Sequence, residues 1–424
     1  MRKNKYLKFI CLSVLTILTA VSADTSSFSA LSLGDIEPTL NNTTGTAYAD
    51  SLVLKNHNYA SWAYLSNTSF SLSASYYLHN TENSAGVKSE YDRFSFEDIS
   101  FALPFGDRHF FGLSYYPVSI VDITNVSDTE TLVPESFENT YVSTLETRKG
   151  SISNFSLIYG KGFDTFAADI KGSFKLGNYD ISRRYKYITY VWNPVSSAWD
   201  TEWEKYFEAK DKTQILHFTL GGGLFYKTPF GVNVGSDFSF PVYSYANRIS
   251  EFDRTTSYGT VIEELSDTEN EINDPEWPLE YSLGLSYKVS KFIISYDMSY
   301  KNFSGLNIGI DDTKLVDYTR NTIGISFDPR NRKYDPYYLR MVYTGALSVE
   351  KRPYEYGGKS IYDISETLGF NLPFNDDNTN IEIKFSLTQS GSTDNNGLED
   401  NIFRIQFNLI SSDRWRLKKE KYND

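Results

Sequence analysis

Residues 401–410 read NIFRIQFNLI. Phe403, Ile405, Phe407 and Leu409 fall on one side of an extended chain, and Arg404, Gln406 and Asn408 fall on the other. A period of two marks a strand with one apolar and one polar face. The pattern recurs upstream. Phe70, Leu72, Ala74 and Tyr76 alternate with serines. Phe166, Ala168, Ile170, Gly172, Phe174 and Leu176 alternate with Ala167, Asp169, Lys171, Ser173 and Lys175. Phe292, Ile294, Tyr296, Met298 and Tyr300 alternate with Ile293, Ser295, Asp297, Ser299 and Lys301. Each run approaches the roughly 9–11 residues that a tilted strand needs to cross a bilayer.

Fourteen such segments follow one another, near 69–78, 94–103, 109–118, 151–160, 165–176, 214–226, 231–240, 279–289, 292–301, 321–328, 337–348, 364–373, 380–388 and 401–410. Short connections follow the even strands: 104–108, 161–164, 228–231, 290–291, 328–336 and 373–378. Long ones follow the odd strands: 79–93, 119–150, 177–213, 241–278, 302–320, 349–363 and 389–400. Outer-membrane barrels have short periplasmic turns and long external loops. The expected fold is therefore all-β, a 14-stranded antiparallel transmembrane β-barrel with both termini periplasmic. Closure removes the open edges that lipid disfavours. A secreted soluble sandwich or β-helix would also alternate, but it has no reason to sort its connections by parity.

The ends agree with that location. Arg2, Lys3, Lys5 and Lys8 precede an apolar run to Ala20, and Val21-Ser22-Ala23 fits a small-residue cleavage site, so residues 1–23 are expected to be a signal peptide. The one cysteine, Cys11, lies within that run, and the remaining chain has none to form a disulfide. Removing the four leader cations from 41 leaves 37 against 54 acids, a formal charge of −17. Such a balance argues against a nucleic-acid partner, whose phosphates need a basic surface. Tyr and Phe, 33 and 29, are abundant while apolar content is only 40%. That composition suits strands with a lipid face and a polar lumen.

The chain resembles the FadL-like family of outer-membrane transporters for long-chain fatty acids and other hydrophobic compounds. Asn58-Tyr59-Ala60 stands where that family often carries Asn-Pro-Ala, with Tyr59 replacing the proline. The closing strand and the aromatic Trp415 after it are similar to those of distant members. The resemblance implies a short N-terminal plug, here residues 24–68, inside a barrel of residues 69–410, with a basic tail at 411–424. It also implies a lateral opening at a kink in the third strand, for which Gly112 and Pro117 are the candidates. Glycine weakens a strand and proline removes a ladder donor.

Candidate contacts for an apolar ligand are Tyr59 and Trp62 in the plug, set against the alternative that they only pack it. In the third long connection, Trp199, Trp203, Tyr206 and Phe207 are spaced i, i+4, i+7 and i+8, which predicts a short external helix with an aromatic face. That face is read either as a ligand groove or as packing and belt aromatics. The fourth long connection holds nine carboxylates and two arginines at no calcium-loop spacing. His57, His79, His109 and His217 lack metal-site spacing, and no nucleophile with a base marks an enzyme. No catalytic residue, metal or cofactor is expected.

The expected function is passive outer-membrane transport of hydrophobic small molecules such as long-chain fatty acids. Expected partners are that cargo, outer-membrane lipid and lipopolysaccharide, and the barrel-insertion machinery during assembly. The competing readings are a protein-interaction or secretion-associated barrel, and a general diffusion porin.

Overall fold

The computed structural model describes residues 35–36, 44–49, 54, 58–84, 86–132, 138–193, 195–196, 198–272, 277–306, 315–329, 336–356, 358–374 and 379–413, excluding the side chains of 35–36, 123–132, 138–141, 191–193, 198–200 and 202. The expected signal peptide and most of the basic tail lie outside these residues.

Fourteen antiparallel strands form the wall. They are β1 Thr68–Asn83, β2 Lys88–Phe105, β3 His109–Leu132, β4 Glu138–Gly162, β5 Phe166–Asn193, β6 Ala198–Lys227 and β7 Val232–Thr255. Then come β8 Glu280–Val289, β9 Phe292–Lys301, β10 Tyr318–Phe327, β11 Val342–Tyr356, β12 Lys359–Phe374, β13 Thr379–Ser392 and β14 Leu398–Asp413. Each pairs with its chain neighbours, and β14 pairs with β1 from Leu398↔Asn83 to Asp413↔Thr68, closing the barrel. The alternation is satisfied as expected. Phe407 and Leu409 are exposed outward while Arg404 and Gln406 are buried inward. Ser71, Ser73 and Ser75 are buried on β1, and Phe70 is exposed. Tight turns join β2 to β3, β4 to β5, β6 to β7 and β8 to β9. Ser290 (φ 55°) and Arg108 (φ 56°) adopt left-handed conformations there, beside Gly106 and Gly231.

The structure corrects the reading of three long connections. The described residues of 119–150, 177–213 and 241–278 are mostly strand rather than irregular loop. β3 to β7 run for 24, 25, 28, 30 and 24 residues, more than twice what a bilayer crossing needs. Their ladders rise beyond the apolar band as a tall curved sheet, and a further strand, Val261–Glu271, pairs with the upper part of β7. The expected aromatic helix is absent, because Trp199 to Phe207 belong to β6. In a strand, Tyr206 and Phe207 point to opposite faces, so the helical spacing has no consequence. Phe207 instead stacks on Phe252, with ring centroids 5.8 Å apart. Its buried positions mix Tyr179, Ile181 and Ile215 with Thr189, Glu208, Asn247 and Asp253, so no clean apolar period two announces it. Ladder hydrogen bonds and cross-strand pairs hold it instead. One such group is Glu146, bonded by Arg148 and by Arg183 at 2.6 Å.

Candidate functional site

The interior is built from the inward face of the wall and from the described residues before β1. Thr44 meets Ser295 at 2.5 Å. The Gly45 and Thr46 amides donate to the Asp297 carboxylate at 2.7 and 2.9 Å. Ser286 donates to the Ala47 carbonyl at 2.7 Å. Lower down, Asn58 caps a 3-10 turn at Tyr59–Tyr64 by accepting from the Ala60 amide. Its amide group donates to the Thr46 and Leu224 carbonyls, both at 2.9 Å. One side chain thus ties the two halves of the segment to each other and to β6.

Glycines on the wall make room for these contacts. A Cβ at Gly235 would lie 1.9 Å from the Thr46 carbonyl oxygen, and one at Gly223 would lie 2.4 Å from the Asn58 side chain. A Cβ at Gly284 would lie 2.7 Å from the Thr46 Cβ, and one at Gly324 would lie 2.5 Å from the Thr44 hydroxyl. Strand glycines often mark such backbone approach. This is the signal that sequence reasoning missed: glycines at inward positions of neighbouring strands.

Tyr59 and Trp62 are brought together, with ring centroids 4.9 Å apart. Both are buried in an apolar cluster with Phe110, Ile158 and Phe225. The Tyr59 hydroxyl donates to Ser114 at 3.1 Å. Trp203, Tyr206 and Phe207 stand apart on the tall sheet, and the Trp199 side chain lies outside the described residues. Below the cluster, a cavity of about 790 Å³ lies between residues 63–68 and the β2–β3 turn.

Gly112 and Pro117 have different surroundings. Gly112 sits in an unbroken ladder opposite Ala102. A Cβ there would come 2.7 Å from the Trp62 ring, so it is a seat for that indole. Pro117 lies just beyond the end of the β2–β3 ladder. The β2–β3 ladder ends at Ile99↔Tyr115, although both strands continue. The β3–β4 register shifts between Pro117 and Ser119. The freed edge of β3 is taken by the two-residue strand Asp35–Ile36, paired with Ile120 and Ser119. Val118 and Val121, beside this point, join a second buried apolar cluster with Ile152, Tyr179, Trp277 and Phe303.

A charged layer adjoins that cluster. Glu280 is shared by Lys175 and by Lys301 at 3.6 Å, and accepts from the Trp277 indole at 2.7 Å. Lys171 pairs with Asp237. Near the opposite wall, Arg352 grips both oxygens of Asp363 at 2.9 and 3.0 Å. None of these pairs was anticipated from sequence; Lys175 and Glu280 are 105 residues apart, and Lys171 and Asp237 are 66 apart.

The barrel is similar to solved channels and transporters of hydrophobic compounds. The CymD monoaromatic hydrocarbon channel matches with a TM-score of 0.53 at 12% identity, over 91% of this chain and 99% of that one. The toluene transporter TodX of P. putida gives 0.52 at 11% identity, over 85% and 93%. A Pseudomonas aeruginosa FadL homologue gives 0.52 at 10% identity, over 94% and 99%. Likeness at these identities is a likeness of fold. No curated protein matches the sequence. A family model does match from residue 1 to residue 423, nearly end to end, and by that match the chain belongs to the BamG family.

Proposed function

We propose that this barrel is an outer-membrane partner of the machinery that assembles other β-barrels, and that its channel-type lumen is held shut. Membership of the BamG family over residues 1–423 carries this reading. The lumen supports it. Residues 44–49 and 58–65 hydrogen-bond to inward residues of the wall, which supports reading them as a plug, and buried ion pairs lie nearby. The tall external sheet supplies surface for protein contacts. The test is purification of the full chain from outer membranes in mild detergent. Stoichiometric recovery with the barrel-inserting subunit is expected. A chain that migrates alone while the rest of that machinery stays together would overturn the reading.

The end of the β2–β3 ladder favours a second reading, uptake of hydrophobic small molecules such as long-chain fatty acids. Cargo would pass along the Val118–Trp277 cluster and leave sideways between β2 and β3 into the membrane, once Asp35–Ile36 vacates the β3 edge. Uptake of a radiolabelled fatty acid into proteoliposomes tests it. Uptake blocked by a β2–β3 disulfide supports lateral release, whereas no uptake above empty liposomes refutes it.

A further inference from the structure

The strand Val261–Glu271 returns from β7 through a turn at Gly259 (φ 82°) and pairs with it from Asn247↔Glu271 to Thr255↔Val261. Among the described residues, no strand pairs with its other edge. All eleven of its residues are exposed. An open edge is normally blunted by shortness, by charged side chains, above all lysine, by proline or by bulges. This edge is long and lacks lysine and proline; its pairing with β7 is irregular near Phe252 and Arg254, and its charges are all carboxylates, which repel a like edge but not a basic one. It carries Glu263, Glu264, Asp267, Glu269 and Glu271, interspersed with Val261, Ile262 and Leu265, which are 43, 58 and 44% exposed.

We propose that this edge docks an extended, lysine- or arginine-bearing segment of a protein partner on the outer side of the barrel, added to the sheet as a further strand. The unpaired main chain supplies hydrogen bonds, and side chains alternating along the strand supply selectivity. The carboxylates select basic side chains and steer their approach. The same charges disfavour a second copy of this chain, because an identical edge would set carboxylate against carboxylate. Among the described residues, no cluster of three or more acidic, His or Cys side chains is placed to hold a metal ion. The edge therefore fits a basic strand better than a cation bridge to lipopolysaccharide. Docking here rests on the first reading above, which offers the tall sheet for protein contacts, and the peptide test is separate from recovery with the barrel-inserting subunit.

The probe is an acetylated ten-residue peptide of alternating Lys and Val, added to the full chain in lipid nanodiscs. Saturable binding by fluorescence anisotropy is expected, with slowed amide exchange over 261–271. Charge reversal at three positions (E263K/D267K/E269K) should weaken binding at least tenfold. A version of the peptide N-methylated at alternate residues, with the same charge but an interrupted donor row, should bind at least tenfold more weakly. Equal binding of both peptides would reduce the effect to bulk electrostatics and overturn the proposal. So would unchanged exchange over 261–271, self-association through this edge without peptide, or lipopolysaccharide binding that needs magnesium while the peptide fails to bind.

Discussion

Replacing Gly235 by alanine should dislodge residues 44–49 from the wall. The new methyl would stand 1.9 Å from the Thr46 carbonyl oxygen, with Ala47 Cα at 3.0 Å. These are main-chain atoms, so no side-chain rotation relieves the clash. Moving the segment away endangers four hydrogen bonds: two amides on Asp297, Asn58 on Thr46, and Ser286 on Ala47. A bond to a carboxylate contributes about 1.5–3 kcal/mol and a neutral one about 0.5–1.5, so even the low ends reach about 4 kcal/mol. At about 1.4 kcal/mol per factor of ten, the undocked population should rise on the order of a thousandfold. The readout is maleimide labelling of Thr46→Cys in a Cys11→Ser background, since Thr46 is 1% exposed in the docked segment. Gly345→Ala serves as control, because a Cβ there meets its nearest neighbour at 3.7 Å. Labelling should accelerate steeply in Gly235→Ala and stay slow in Gly345→Ala. Equal, slow labelling in both would mean that the wall gives way and the segment does not, which would refute the reasoning.

Three further outcomes are expected. Trp62→Ala, which empties a fully buried site against Gly112 and Phe110, should cost about 3–5 kcal/mol, read as a lower urea midpoint for the gel-mobility shift between folded and unfolded barrel. Arg352→Ala strands the buried Asp363 carboxylate and should cost a similar ~3–5 kcal/mol in the same assay, whereas Arg352→Met with Asp363→Leu should recover most of it. Burial pushes the Glu146 carboxyl up, but bonds from Arg148 and Arg183 more than offset this and hold it below its usual value. A depressed acid stabilises the fold above its unfolded pKa, and that contribution is lost as pH falls through the folded value. Protease cleavage of the β4–β5 hairpin should therefore rise on acidification below the ordinary glutamate range. In Glu146→Gln it should be faster at neutral pH and lose that component of its pH response.

The wall was legible in the sequence wherever lipid and lumen make opposite demands on neighbouring residues. Phe70 to Leu78 and Phe403 to Leu409 could be read for that reason. Above the apolar band the outer face meets no lipid, so Asp180, Ser182 and Arg184 on β5 replace the outward apolar residues that marked the lower strands, and the ladder that holds them was not read. Chance helical spacing of Trp199, Trp203, Tyr206 and Phe207 then looked like a signal. Tyr59 and Trp62 were identified as an apolar pair, but their setting was not, because it depends on Gly112 and Phe110 some fifty residues away. Inward glycines such as Gly223, Gly235, Gly284 and Gly324 were visible as letters. Their meaning needed the register that places them side by side.

The ladder between β14 and β1 bears on how the barrel can assemble. The sheet becomes a tube only when the last strand meets the first, and β1 directly continues the segment that carries Asn58 and Trp62. That segment touches β3, β6, β8 and β9, strands synthesised after it. Threading it in later would mean passing Trp62 and Tyr59 through a finished ring of hydrogen-bonded wall. The economical route is for the wall to wrap around its own leading residues, with the β14–β1 seam zipping last. The N-terminal stretch would then be the mandrel on which this cylinder is wound, and a chain lacking it should close slowly or at the wrong circumference.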